Sequence, residues 1–169
     1  VGVWLLVTTA IAIASRGRGV AVDAVVADFI SGAAEWLTPA ASPDHWDIVE
    51  GQGSLFHPSF AGVTLGLMHG SQPDAFVVCH EPTRQTMRNV PAPVPTIAEV
   101  IDLTIRCGRL TNPQIRCVGI AINTVALDED TAREIIAQTQ AEYNLPTNDP
   151  LRFGVANIVD TLTHEFGVA

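Results

Sequence analysis

At 169 residues the chain has room for one domain with a sizeable core, and its 47% hydrophobic content argues against wholesale disorder. The formal net charge is −9, and all nine basic residues are arginine. That balance argues against nucleic acid and anionic membrane as partners, and without a lysine the chain cannot supply a Walker A grip of its own.

The first element is an apolar run from Val1 to Ala14. A bilayer span takes about 20 apolar residues, and no basic segment precedes the run as in a signal peptide. It reads as a buried strand entering a turn at Ser15–Gly19. A helix is expected from Val22 to about Leu37, then a short strand over Trp46–Val49 that stops at Glu50. A second helix fits Ser59–Met68 behind Pro58, and a buried strand fits Ala75–Cys79. The three prolines between Asn89 and Pro95 demand a loop. Helix is expected from Thr96 to Cys107, strand over Arg116–Ile122, helix over Asp130–Tyr143, a turn at Leu145–Pro150 and a last helix over Ile158–Phe166.

Strand and helix alternate about four times, which predicts a three-layer α/β fold: a mostly parallel sheet with helices on both faces. Cys79, Cys107 and Cys117 form no C-x-x-C pair and read as buried reduced thiols of a soluble, cytoplasmic protein.

Ligands of such sheets bind beyond the carboxyl ends of the strands. Three strand ends here are polar, and they are expected to share one rim. Glu50 could hold Mg²⁺, and Gly51-Gln52-Gly53-Ser54 could bring backbone N–H groups to a phosphate or an oxyanion. A solvated glutamate in a capping turn is the plainer alternative. His57 could donate to a ligand or simply cap and pack. His80 is the expected acid/base group and Glu81 a second carboxylate beside it. Arg84 suits a carboxylate or phosphate through its planar fork, or else a surface ion pair. Asn123 could read a purine edge or only form a turn, and Asp23 could join a metal shell or only cap a helix. Neither zinc-type spacing nor a G-x-S-x-G element is present.

The segments Gly17–Asp23, Ile48–Leu55, His57-Pro58, Gly62–Ser71, Cys79–Pro82, Asn123-Thr124 and Asp149–Gly154 together resemble the DUF1611 family. The resemblance implies a P-loop domain similar to dethiobiotin synthetase, placed after an N-terminal Rossmann-like domain in chains about twice this length. It also implies D-glutamate N-acetyltransferase activity with acetyl-CoA as donor. In that fold an E-G-x-G segment lies at the phosphate and metal edge, matching Glu50, Gly51 and Gly53, and a strand-end asparagine lies near the base, matching Asn123. The Walker A strand and loop are missing, so the chain reads as a single partial P-loop-like domain, the C-terminal part of a longer protein.

The expected function is N-acyl transfer from acetyl-CoA to a D-amino acid. A ligase like dethiobiotin synthetase, using ATP with Mg²⁺, is the first alternative. A fragment that keeps only the fold is the second. The partner is a small-molecule substrate, and a homo-oligomer stays open.

Overall fold

The computed structural model describes residues 3–6, 20–21, 24–51 and 53–167. Asp23 and Gln52 lie outside these residues, as does most of the first predicted strand. The chain divides into two compact units, one running to Pro73 and including Arg106–Gln114, the other comprising Asp74–Ile105 and the remainder from Ile115.

In the first unit, β1 (Val3–Leu6) pairs in parallel with β2 (Trp46–Val49), Leu6 opposite Val49. A 3₁₀ turn at Ala27–Phe29 leads into α1 (Ile30–Leu37). The helix therefore starts later than the apolar spacing from Val22 suggests. Val26 is extended (φ −57°, ψ 136°), so no helical ladder can pass through it. Helix α2 (Ala61–Ser71) ends on Gln72, whose left-handed backbone (φ 48°) turns the chain away. Ile30, Ala34, Leu37 and Leu67 form the core of this unit, with Val49 and Val63 against it.

The second unit holds a three-stranded sheet in the order β3 (Ala75–His80), β4 (Arg116–Ile122), β5 (Thr147–Asn148). Both pairings are parallel, His80 opposite Ile122 and Ala121 opposite Asn148. The pair Thr147-Asn148 was expected only as part of a turn. Two residues followed by Pro150 carry no period, and the strand exists through its pairing to β4. Helix α3 (Ile97–Gly108) opens on a capping box in which the Thr96 N–H donates to Glu99 and the Glu99 N–H donates back to Thr96 Oγ1. Helix α4 (Glu129–Tyr143) is capped by Asp128, which accepts from the Thr131 N–H at 2.9 Å. Helix α5 (Ala156–Phe166) closes the unit, with Arg116 bonded to Glu165 at 2.7 Å and stacked 4.2 Å over the Phe166 ring.

Val78, Ile97, Ile120 and Ile122 make the second core. Ile120 and Ile122 are fully buried, each contributing on the order of 1.5–3 kcal/mol by leaving water. A strand buried on both faces needs such a continuous apolar run, and V-G-I-A-I supplies it.

Candidate functional site

Two of the three polar strand ends lie side by side. β3 and β4 run in parallel to His80 and Ile122, and the Asn123 N–H donates to the His80 carbonyl at 2.8 Å, one step beyond the strand. Strand alternation puts His80 on the same face as buried Val78, so its ring leaves the core at the strand's carboxyl end. Burial lowers its pKa from the ordinary 6.5, and the nearby Glu81 carboxylate opposes that only in part. The imidazole is thus neutral at pH 7 and able to accept a proton.

Glu81 is bonded to the guanidinium of Arg84. The surface ion pair weighed for Arg84 is present, and it fixes the cation four residues beyond His80. From there the chain folds back on itself, Met87 N–H to Ala92 O at 2.8 Å and Val94 N–H to Gln85 O at 3.2 Å, with Asn89 left-handed at φ 62°. The proline-rich loop is a tight antiparallel turn.

Asn123 is exposed, and its Oδ1 accepts from the Val125 N–H at 3.1 Å. This Asx turn gives the amide one orientation, with its oxygen engaged by its own loop. Beside it Thr124 is fully buried and Asp149 is 2% exposed. Asp149 accepts from Thr124 N (2.9 Å) and Oγ1 on one oxygen, and from Leu151 N (2.9 Å) and Arg152 N (3.1 Å) on the other. Burial pushes this carboxyl up, but the bonds from Thr124, Arg152 and Leu151 outweigh it and hold the pKa below the ordinary value. Arg152 Nη1 donates to Thr124 O (3.1 Å) and Leu127 O (3.0 Å). The loops after β4 and β5 are tied into one body.

The third strand end belongs to the first unit. Glu50 and Gly51 are exposed, and Gly51 has no atom within 4 Å of where a Cβ would sit. Gly53 adopts φ 146°, a conformation that favours glycine, and a Cβ there would stand 3.0 Å from Phe60. Thr64 Oγ1 donates to the Gly53 carbonyl (3.0 Å), and Ser54 Oγ accepts from Phe56 N–H (3.1 Å). The loop is held onto the start of α2. His57 is 6% exposed, its Nδ1 accepts from Ser59 N–H at 3.1 Å, and its ring lies 4.5 Å from that of Phe60. The capping and packing role weighed for His57 is therefore present. Gly51 leaves open space beside its backbone, whereas Gly53 lies against Phe60. Among the described residues no group of three or more His, Cys, Asp or Glu side chains is placed to hold a metal ion, and Asp23 lies outside those residues.

Two open clefts, of about 400 and 240 Å³, are lined by Glu35, Thr38 and Gly70–Gln72 in the first unit and by Arg133, Gln140, Asn148 and Phe153 in the second. Neither includes a residue expected to bind or act on a ligand. The chemistry of the strand ends, rather than concavity, marks the candidate site. Sequence reasoning missed Asp149 and Arg152 as structural partners of Thr124. The run Asp149–Gly154 stood out, but nothing in it names a partner 25 residues back.

The sequence profile of the DUF1611 family, described as "Domain of unknown function (DUF1611_C) P-loop domain", matches residues 3–159. A D-glutamate N-acetyltransferase of Pseudoalteromonas sp is 52% identical over 147 residues, covering 86% of this chain and 44% of that protein. A second protein of that name, from Tritonibacter scottomollicae, is 46% identical over the same length, with the same coverage. The chain thus spans under half the length of these relatives. The crystal structure of a DUF1611 family protein from Anabaena variabilis superposes with a TM-score of 0.86 at 37% identity, over 96% of this chain and 48% of that one. The architecture is α/β and P-loop NTPase-like, with parallel strands flanked by helices.

Proposed function

This chain belongs to the DUF1611 family, and we propose that it serves N-acetyl transfer from acetyl-CoA to the amine of D-glutamate. Two relatives bearing that activity in their names support the reading, over 86% of the chain. The observation that carries it is the pairing of a neutral His80 with Asn123 at adjacent strand ends.

His80 takes a proton from the substrate ammonium group. The freed amine attacks the thioester carbonyl carbon and a C–N bond forms; as the C–S bond breaks, the nitrogen gives up its second proton to solvent, and the departing thiolate of CoA takes the proton held on His80. Arg84, steadied by Glu81, binds a substrate carboxylate. Asn123 holds the donor through its amide N–H. Separately, the Gly51–Ser54 loop offers backbone N–H groups to an anionic oxygen.

The test is thiol release from acetyl-CoA with D-glutamate as acceptor. His80→Gln should lower kcat by about 10²–10⁴-fold, the usual worth of a general base. Arg84→Gln should raise KM for D-glutamate about tenfold, in line with the loss of one charge-assisted bond. Unchanged turnover in both variants would remove the assignment.

A further inference from the structure

We propose that the cleft between α4 and β5 is a binding site for a short dicarboxylate without a free amine, one carboxylate held by Arg133 and the other by the side-chain amides of Gln140 and Asn148. None of its lining residues belongs to the polar strand ends described above, and it does not rest on the acyl-transfer reading.

The cleft encloses about 240 Å³, and its walls are set by contacts between α4 and the chain around β5. At one end the Arg133 guanidinium stacks 4.1 Å over the Phe153 ring. At the other, Gln140 Oε1 accepts from the Thr147 N–H at 3.3 Å, beside Asn148, whose Oδ1 accepts from the Asp149 N–H at 3.0 Å. Ile136 and Ala137 line the space between. Capping those two backbone N–H groups uses only the amide oxygens. Among the described residues Gln140 Nε2 and Asn148 Nδ2 have no hydrogen-bond partner, and neither has Arg133 Nη1. Glu129 takes Nε (3.0 Å) and Nη2 (2.6 Å) of that guanidinium, which together with the Phe153 ring fixes its plane.

The polar groups left to a ligand are therefore all donors, one guanidinium edge and two amide NH2 groups. Carboxylates accept on both oxygens and suit each end. Arg133 and Gln140 stand seven residues apart on α4, roughly 10 Å along its axis. A chain of about five carbons with a carboxylate at each end, and a hydrogen bond of roughly 2.9 Å beyond each, covers that distance. Its methylene groups meet Ile136 and Ala137. The volume falls below the roughly 300–1,000 Å³ of sites for larger ligands, so the occupant is small. No Asp or Glu lines the cleft, and an ammonium group would find only donors there. Free glutamate is thus a poor occupant, whereas glutarate, or glutamate acylated on nitrogen, matches it. The second of these is what the proposed reaction makes.

Proton–nitrogen correlation NMR of the chain tests this by following the side-chain NH2 signals of Gln140 and Asn148. Both should move saturably with glutarate and with N-acetyl-D-glutamate. Butyrate, with one carboxylate, and D-glutamate, with its ammonium group, should bind at least about tenfold more weakly at these signals. Gln140→Glu keeps an acceptor for the Thr147 N–H and replaces the donor by a negative oxygen. Read on Asn148, it should weaken glutarate about tenfold or more at an unchanged melting temperature, and Arg133→Gln should do the same. If glutarate binds and N-acetyl-D-glutamate does not, the diacid site stands and the acylated product is not its occupant. Glutarate affinity within about twofold of wild type in either variant overturns the site, as does the absence of any saturable movement. D-glutamate or butyrate binding there as tightly as glutarate overturns it too.

Discussion

Burial lowers the His80 pKa below 6.5, with Glu81 opposing it, and this has consequences for rate and for stability. The proposed base must be neutral to act, so on that proposal kcat/KM should fall on the acid side with a midpoint below 6.5 and stay level above it until the substrate's own ionisation intervenes. A pH–rate profile checks this, and the limb should vanish in His80→Gln. A midpoint at or above 6.5 would assign the limb to another group. The sign for folding follows from the same depression. Between the two values the native state binds fewer protons than the unfolded chain, so this stabilisation is complete above 6.5 and is lost as pH falls through the folded value. Asp149 behaves alike at a lower pH. Its carboxylate accepts four bonds, and Asp149→Ala leaves Thr124 and Leu151 N–H groups without their acceptor. The loss should be about 2–4 kcal/mol in urea unfolding at pH 7. The difference from wild type should shrink as pH drops below the ordinary carboxylate range of about 4. Neither pKa shift was legible in the sequence. His80 drew attention because a polar residue follows an apolar strand, whereas Asp149 looked like any turn aspartate, its role set by a threonine that only the parallel sheet brings to it.

At the scale of elements, glycine decides how α1 and α2 pack. A Cβ on Gly70 would lie 2.1 Å from Ser31 O and 2.7 Å from Ala34 Cβ, whereas one on Gly62, in the same helix, would meet nothing within 4 Å. Alanine gains up to about 1 kcal/mol over glycine in a helix interior, so the two substitutions should differ in sign. Gly62→Ala is expected to be neutral or mildly stabilising. Gly70→Ala should cost about 1–3 kcal/mol, because backbone cannot yield as a flexible side chain does. Thermal melts of the two variants decide it, and equal shifts would mean the helices separate freely. The spacing Gly62, Gly66, Gly70 is plain in the sequence, but not that Gly66 and Gly70 stand against α1 while Gly62 does not. Elements with long apolar runs were read nearly to the residue, β4 over Arg116–Ile122 among them. Those set by a single dihedral or a single pairing were not: α1 starts where Val26 stops being extended, and β5 is a strand through two residues of register.

Across the whole molecule, the rim expected of three strand ends is present for His80 and Asn123, neighbours in one parallel sheet, while Glu50 closes β2 in the sheet of the first unit. Charge acts at this scale too. Both proposed substrates are anions, yet the chain carries −9. Arg84 is already balanced by Glu81, so its attraction works at contact distance rather than across solvent. The long-range field therefore repels the donor, and only close groups bind it. Screening weakens the far interaction first, since the Debye length falls from about 30 Å at 0.01 M salt to about 8 Å at 0.15 M. The association rate constant for acetyl-CoA should then rise severalfold over that range, where an enzyme that steers its anionic substrate would show a fall. Stopped-flow binding at the two ionic strengths measures it. A rate that drops with salt would mean that arginines dominate the potential around the strand ends, and the contact-only account of Arg84 would be lost.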